Sequence, residues 1–453
     1  MNYLIDTPFG KKKFINADMC ASGCVHASVE NFINTYVYPY YSNTHSNSFN
    51  GKYMVNLIDQ SKDIIRRNLN IRKEDKIIFT GSGTTGAISL LIHSIKPILN
   101  DRTVIFLSIA EHHSNYLPWT HLKLKCIIIP LKHGIIDIEI LKLKLLEYKD
   151  WNIICSFTAC SNVTGIIMPT QKIASLIHKY KGLIFFDFAA SAPYVKINVN
   201  SGNDSYYDAI FISPHKFLGG VGTPGLLVAR HELFKNEIPY YPGGGTVRFV
   251  CRKFKHYSDD PEISEQGATP NIVGSIRTGL AFMLKEQNQT YIELREKEIN
   301  NIAINFFRMN PEIKLIGLTD NIPLNKIPIY SFQIKDFHYN YIVVLMNDLF
   351  GIQTRGGISC CSVYAQSLLK IEEDKQKKIY DCIIAGKGTP NNYGWCRITL
   401  NYMMCDSEVY YILDAIKYIY LYGENFKNEY EFIPKGSSYK HKNYEYNFTK
   451  LSL

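Results

Sequence analysis

The chain has 453 residues, 46% of them hydrophobic and 20% charged, with a formal net charge of +9, a composition that fits a globular protein long enough for two domains. No apolar run reaches the length of a membrane span, and the lysines are spread without a basic block, so neither membrane nor nucleic acid is an expected partner. The 11 cysteines form no CxxC pair and no Cys/His spacing for zinc; with no secretory pattern at the N-terminus they are expected to be reduced, in the cytoplasm unless an organellar address is present, and no metal is expected.

Ser22-Gly23 mark a turn, and a helix is expected from Ala27. Residues 39–51, polar and turn-rich, read as a loop. Residues 77–80 read as a strand, followed by Gly81-Ser82-Gly83-Thr84-Thr85-Gly86 and a helix whose apolar residues Ile88, Leu91, Ile92 and Ile95 recur at i, i+3, i+4, i+7. A glycine-rich turn into a helix offers free N–H groups and a positive helix end to an anion, although a merely tight connection would look the same. The next strand, 104–109, ends in Glu111-His112-His113-Ser114-Asn115-Tyr116-Leu117-Pro118-Trp119. Adjacent histidines rarely converge on one ion, and no further ligand stands at i+4 from either, so the pair does not read as a metal site.

Residues 127–129 and 153–157 read as further strands. After the second comes Ser161-Asn162-Val163-Thr164-Gly165, a string any turn could show. Ile173, Leu176, Ile177 and Tyr180 give a helical face. The runs 183–186 and 209–212 are too short for helices and rich in strand-forming residues, so both read as buried strands. Strand and helix thus alternate from about residue 76 to 217, the pattern of an α/β domain with a largely parallel sheet.

Asp187 ends the first of these runs, and Lys216, within Ser213-Pro214-His215-Lys216, lies just past the second. In open α/β sheets ligands bind outside such strand ends. A lysine amine and a carboxylate are the pair that pyridoxal phosphate needs, the amine for its aldehyde and the acid for its ring nitrogen. The alternative is a turn-capping acid and a surface lysine. Further on, a helix is expected over 273–287, leading out of the large domain. In Gln353-Thr354-Arg355-Gly356-Gly357-Ile358-Ser359-Cys360-Cys361, glycines beside cysteines give an exposed loop, and a nearby cation favours the reactive form of a thiol; two small residues packed in a turn is the other reading. Arg397, inside the apolar run Trp395-Cys396-Arg397-Ile398-Thr399-Leu400, needs an anion, either a bound carboxylate or a packing salt bridge. Residues 386–393 read as a surface insertion, 409–419 as a helix and 424–453 as a polar, lysine- and tyrosine-rich tail.

Taken together, the strings GTT, EHHSNxxPW, SNVTG, Asp187 with SPHK, GGGTV (243–247), EQGATPN (265–271) and R-x-G-x-x-C resemble, in order, those of class V aminotransferases, the family of cysteine desulfurases and selenocysteine lyases. The resemblance implies a fold-type I pyridoxal-phosphate enzyme, with a large domain built on a mostly parallel seven-stranded sheet between helices and a smaller α+β domain. Its implied boundaries are 1–30 for a segment packing on the small domain, 31–287, 288–421 and a tail 422–453. It also implies that Thr84, Thr85, Ser213 and His215 hold the cofactor phosphate, with Thr269 reaching it across a homodimer interface. His112 is to stack on the ring and move protons, with His113 its rival, while Asn162 bonds the phenolic oxygen, Asp187 the ring nitrogen and Lys216 the aldehyde. Arg397, with Arg355, is to grip the carboxylate of a small amino acid. Cys360 is to form a persulfide, Cys361 ranking second because relatives carry Ala there, and a sulfur-acceptor protein is an implied partner. One departure is Ala190, where desulfurases usually carry Gln; Ser191 or a water stands as its substitute. An aminotransferase or epimerase would need Lys216 and Arg397 but not Cys360, and a silent scaffold would need none of them.

Overall fold

The short apolar runs between Lys76 and Ala229 come together as one sheet. In the computed structural model, which describes residues 3–318, 325–391 and 393–451, its strands are β1 (Lys76–Thr80), β2 (Thr103–Ser108), β3 (Lys125–Ile129), β4 (Asn152–Thr158), β5 (Leu183–Asp187), β6 (Ala209–Ile212) and β7 (Gly225–Ala229). They lie in the order β1-β7-β6-β5-β4-β2-β3. From β6 to β3 all neighbours run parallel, and only β7 is reversed against both of its neighbours. Every residue of β2, β6 and β7 is buried, as expected of strands covered on both faces. Alternate side chains feed two cores. Val104 and Phe106 enter one and Ile105 and Leu107 the other, the period of two that a strand imposes. Each fully buried Phe or Ile contributes about 1.5–3 kcal/mol.

Helices cover this sheet: α1 (Phe49–Leu69), α2 (Gly83–Ile95), α3 (His113–His121), α4 (Thr170–Lys179) and the first part of α5 (Ile272–Met309). With them the strands form the larger of two compact units, Cys20–Ser161 with Ile166–Glu293; the smaller consists of Met1–Met19, Asn162–Gly165 and Leu294–Leu453. Because the parallel strands share a direction, the residues that follow β1, β2, β4, β5 and β6 gather at one edge of the sheet.

The smaller unit is built on β8 (Ile313–Leu315), β9 (Ile329–Ile334), β10 (Arg355–Gly357) and β11 (Trp395–Thr399), antiparallel in the order β8-β9-β11-β10. Helices α6 (Tyr339–Phe350) and α8 (Asp406–Tyr422) share a core with it, and the short α7 (Ser362–Leu368) follows the cysteine pair. Two distant pieces of chain join this unit. Ile15–Asn16 pairs with Ile352–Gln353, and the turn Asn162–Gly165 docks where Ile327 N donates to Gly165 O at 2.9 Å and Ser331 Oγ to Val163 O at 2.8 Å. Gly165 has φ +74°, and a Cβ there would fall 2.2 Å from the Ile327 carbonyl oxygen, so no larger residue admits this approach.

Three expectations shift. The helix expected over 273–287 is Ile272–Met309, because neither Gly nor Pro interrupts the chain between Gly279 and Pro311. The loop expected over 39–51 holds a 3-10 turn, Tyr38–Tyr40, and gives way at Phe49 to α1, whose N-cap Ser48 accepts from Gly51 N. The tail contains a hairpin, Tyr430–Ile433 with Ser438–His441, and Tyr430 and Tyr446 both donate to the buried Asp348 on α6; phenols combine a packable ring with a polar tip. The insertion expected over 386–393 includes residue 392, which lies outside the described residues. No helix among the described residues is long and apolar enough to cross a membrane.

At the sheet edge opposite the candidate site, the buried Asp208 accepts from Ile184 N and pairs with His178 Nε2 at 3.0 Å, while His178 Nδ1 meets the Asp204 carbonyl at 2.8 Å. Burial opposes charge on the ring, but the bonds to Asp208 and Asp204 outweigh it and raise its pKa. A raised folded-state value means that the stabilisation is fully present below the ordinary value near 6.5 and fades as pH rises through the folded one. Substituting His178→Gln should therefore cost about 1–3 kcal/mol at pH 5.5 and clearly less at pH 8, read from urea midpoints of both proteins across that range.

Candidate active site

Asp187, the last residue of β5, is 4% exposed. Its Oδ1 accepts from Ala189 N at 2.8 Å. Burial pushes its carboxyl up from the ordinary value, opposed by that N–H and by the charge of Lys216. Lys216, half-buried, closes the one-turn 3-10 helix Pro214–Lys216 that follows β6, the parallel neighbour of β5. Acid and amine thus end adjacent strands within electrostatic reach of each other.

Around them the strand ends supply an anion cradle. Gly83 opens α2 at φ +54°, and a Cβ there would lie 3.0 Å from Ser213 Oγ and 3.1 Å from His215 Cε1, a space that only glycine leaves open. Thr84 N donates to Ser213 Oγ at 3.0 Å. Thr85 Oγ1 and Ser114 Oγ are 2.6 Å apart, and Ser114 Oγ is 3.1 Å from His112 Nδ1. His112 caps α3, its Nδ1 accepting from Ser114 N at 3.1 Å, so in the neutral ring Nε2 carries the proton. Burial and the neighbouring Lys216 hold His215 below its ordinary pKa. Helix N-terminus, hydroxyls and imidazole suit a phosphate, and an amine facing a buried carboxylate suits an aldehyde on a basic ring, so the residues present fit pyridoxal phosphate. Thr269 is exposed, its Oγ1 accepting from Asn43 Nδ2 at 3.0 Å. Ala190 and Ser191 are buried, and the Ser191 hydroxyl has no hydrogen-bond partner among the described residues.

The smaller unit assembles a second set. Arg397, 3% exposed on β11, donates through Nη2 to Asp18 Oδ1 at 2.6 Å and through Nη1 to the Asn162 carbonyl at 3.2 Å. Both options left open for this arginine therefore bear on one group: a packing salt bridge is present, made with Asp18. Arg355 on β10 brings Nη2 to 4.0 Å from Cys360 Sγ. Cys360 is half-buried and Cys361 fully buried. Ser359 and Cys360 are consecutive residues in the left-handed region, at φ +54° and +55°, a backbone that costs of order 1–3 kcal/mol per residue and persists only where neighbours hold it.

Two buried acids carry no signal of their own in the sequence. Glu111 was seen only as part of a string, yet it is 3% exposed and accepts from Ser108 N, Ser108 Oγ, Thr158 N and Asn115 Nδ2. Burial pushes it up to about 7, against those bonds and with the charge of Asp187 adding to the rise. It ties the ends of β2 and β4 together just before His112. Asp18, in Asn16-Ala17-Asp18, had no pattern of its own; the unpaired look of Arg397 was the only signal that such a partner existed. No group of three or more His, Cys, Asp or Glu able to hold a metal occurs among the described residues.

These features agree with what the chain is similar to. The model of the family described as aminotransferase class-V matches residues 15–412, and the chain belongs to that family, whose members depend on pyridoxal phosphate. A protein of Halalkalibacterium halodurans named probable cysteine desulfurase is 29% identical over 375 residues, 81% of this chain and 88% of the relative. One of Staphylococcus aureus with the same name is 27% identical over 374 residues, 81% and 87% of the two chains. The apo structure of a cysteine desulfurase from Thermococcus onnurineus matches the fold with a TM-score of 0.77 at 22% identity, covering 90% of this chain and 95% of that one. The expected fold-type I architecture with its seven-stranded sheet is thus the one observed.

The Arg397–Asp18 pair allows a direct measurement. Removing one partner of a buried pair leaves a charge uncompensated and costs about 3–5 kcal/mol, whereas removing both costs less than the sum. Asp18→Asn should destabilise strongly, and Asp18→Asn combined with Arg397→Met should recover part of the loss in urea denaturation; additive effects would show that the two charges do not depend on each other.

Proposed function

We propose that the chain is a pyridoxal-phosphate enzyme that removes sulfur from L-cysteine, leaving alanine and a persulfide on Cys360. The observation that carries the reading is the pairing of Asp187 and Lys216 at adjacent strand ends beside the Gly83 cradle, and the relatives named probable cysteine desulfurase support it. The same chemistry on selenocysteine belongs to this reading.

When bound, the cofactor supplies an electron sink for the substrate's α-carbon. Lys216 would provide the amine for its aldehyde and, when free, a base for the substrate's α-proton. Asp187 keeps the ring nitrogen protonated. Thr84, Thr85, Ser213 and His215 bind the phosphate, and the exposed Thr269 of a second copy adds a hydroxyl, which makes the active form a homodimer. His112 would stack on the ring and could pass a proton through Nε2, and Asn162 would offer an amide hydrogen to the phenolic oxygen. Arg397, whose guanidinium also pairs with Asp18 and the Asn162 carbonyl, would bind the substrate carboxylate together with Arg355. The Cys360 thiolate would attack the substrate sulfur, an S–S bond forming as the Cβ–S bond breaks with its electron pair left on the carbon fragment, which takes up protons and leaves as alanine, and the protein would carry the outer sulfur for an acceptor protein or a small thiol.

Two substitutions separate the alternatives. Cys360→Ala should lower sulfide release from L-cysteine by at least about 100-fold while the visible absorption of the bound cofactor persists, and Lys216→Ala should lose both. Undiminished release in Cys360→Ala would sink the persulfide route and favour a same-family enzyme that needs no thiol.

A further inference from the structure

Asn162 stands four residues past the end of β4, yet it is held by the smaller unit through the docked turn that Gly165 permits. Three separate groups of this one residue are engaged there. Its carbonyl accepts from Arg397 Nη1 at 3.2 Å, its Nδ2 donates to the Ser359 carbonyl at 2.8 Å, and its Oδ1 accepts from Cys361 Sγ at 3.0 Å. Ser359 is fixed from its other side as well, since Trp395 Nε1, fully buried, donates to Ser359 Oγ at 3.1 Å. Between these anchors lies Cys360. The two left-handed residues, Ser359 and Cys360, sit inside a span clamped at the Ser359 carbonyl, the Ser359 hydroxyl and the Cys361 thiol.

From this arrangement we infer that Asn162 and Cys361 are positioning residues for the Cys360 thiol, with the Cys361 S–H acting as a hydrogen-bond donor to the Asn162 amide and not as a second nucleophile. A left-handed pair of non-glycine residues relaxes when its restraints go, so the clamp decides where Cys360 points. The Cys361 thiol is buried and turned to the amide, and its exposure leaves no room for attack on an external sulfur. Because Arg397 bonds the same residue, the anion-binding arginine and the thiol loop share one mount.

The inference rests on the reading of Cys360 as the sulfur-accepting thiol, but its test does not need catalysis. Full-length protein is treated with iodoacetamide and modification of Cys360 is followed by peptide mass mapping in the parent and in Asn162→Ala, Cys361→Ala and Cys361→Ser. Losing one clamp should speed Cys360 modification by about fivefold or more in Asn162→Ala and Cys361→Ala, the factor that goes with one hydrogen bond. Cys361→Ser keeps a donor and should stay within about twofold of the parent. Sulfide release should fall through kcat in Cys361→Ala and stay within about twofold of the parent in Cys361→Ser. Equal rates for Cys361→Ser and Cys361→Ala, or a parent-like rate in Asn162→Ala, would overturn the inference; if Asn162→Ala fails to fold by circular dichroism, the Cys361 pair decides alone. Loss of activity in every protein with the ordering of modification rates intact would instead count against the desulfurase reading only.

Discussion

A carboxylate buried at the end of a core strand is supportable only where a cation or hydrogen-bond donors face it, and Asp187 meets that condition through Lys216 and the Ala189 N–H. Much of the larger unit follows from it. The parallel run from β6 to β3 brings the ends of strands far apart in sequence to one edge, so that an acid, an amine, a glycine cradle and a capped histidine become neighbours without any of them being near another in the chain. Because the strands themselves are apolar and buried on both faces, that edge is where polar groups of the sheet can be placed, and the chemistry collects there.

Polar groups near the edge also hold one another in place. Glu111 accepts four hydrogen bonds and ties the ends of β2 and β4 just ahead of His112, whose ring then caps its own helix. The smaller unit uses the same economy of parts. Asp18 neutralises Arg397, Arg397 binds the Asn162 carbonyl, and the Asn162 amide holds the Ser359 carbonyl and the Cys361 thiol on either side of Cys360. In each case a buried polar side chain is satisfied by groups of two or more elements, which fixes the geometry of the residue beside it.

The strands of the large sheet other than β7 were legible within a residue or two, because period and β-branched composition are local properties; β7, Gly225–Ala229, was not read from the sequence. The glycine turn, the SPHK lysine and the aspartate before it were legible for the same reason: their residue types are demanded by positive φ, strand ends and turns. The length of α5 was not, since the apolar face alone does not say where a helix stops; the absence of Gly and Pro up to Pro311 would have said it. Nor was the hairpin in the tail, whose stability comes from Tyr430 and Tyr446 reaching an acid on α6 far back in the chain.

Residue types and their order alone carry the α/β architecture, the strand ends at which Asp187 and Lys216 stand, and the family to which the chain belongs. It took the folded chain to show that Arg397 pairs with Asp18, which of the two adjacent thiols is covered, and that the Asn162 amide meets the thiol loop. The physical reason is separation: Asp18 and Arg397, or Asn162 and Cys361, lie hundreds of residues apart or nearly so, and no local periodicity records a contact that forms only when distant pieces of chain fold into one unit.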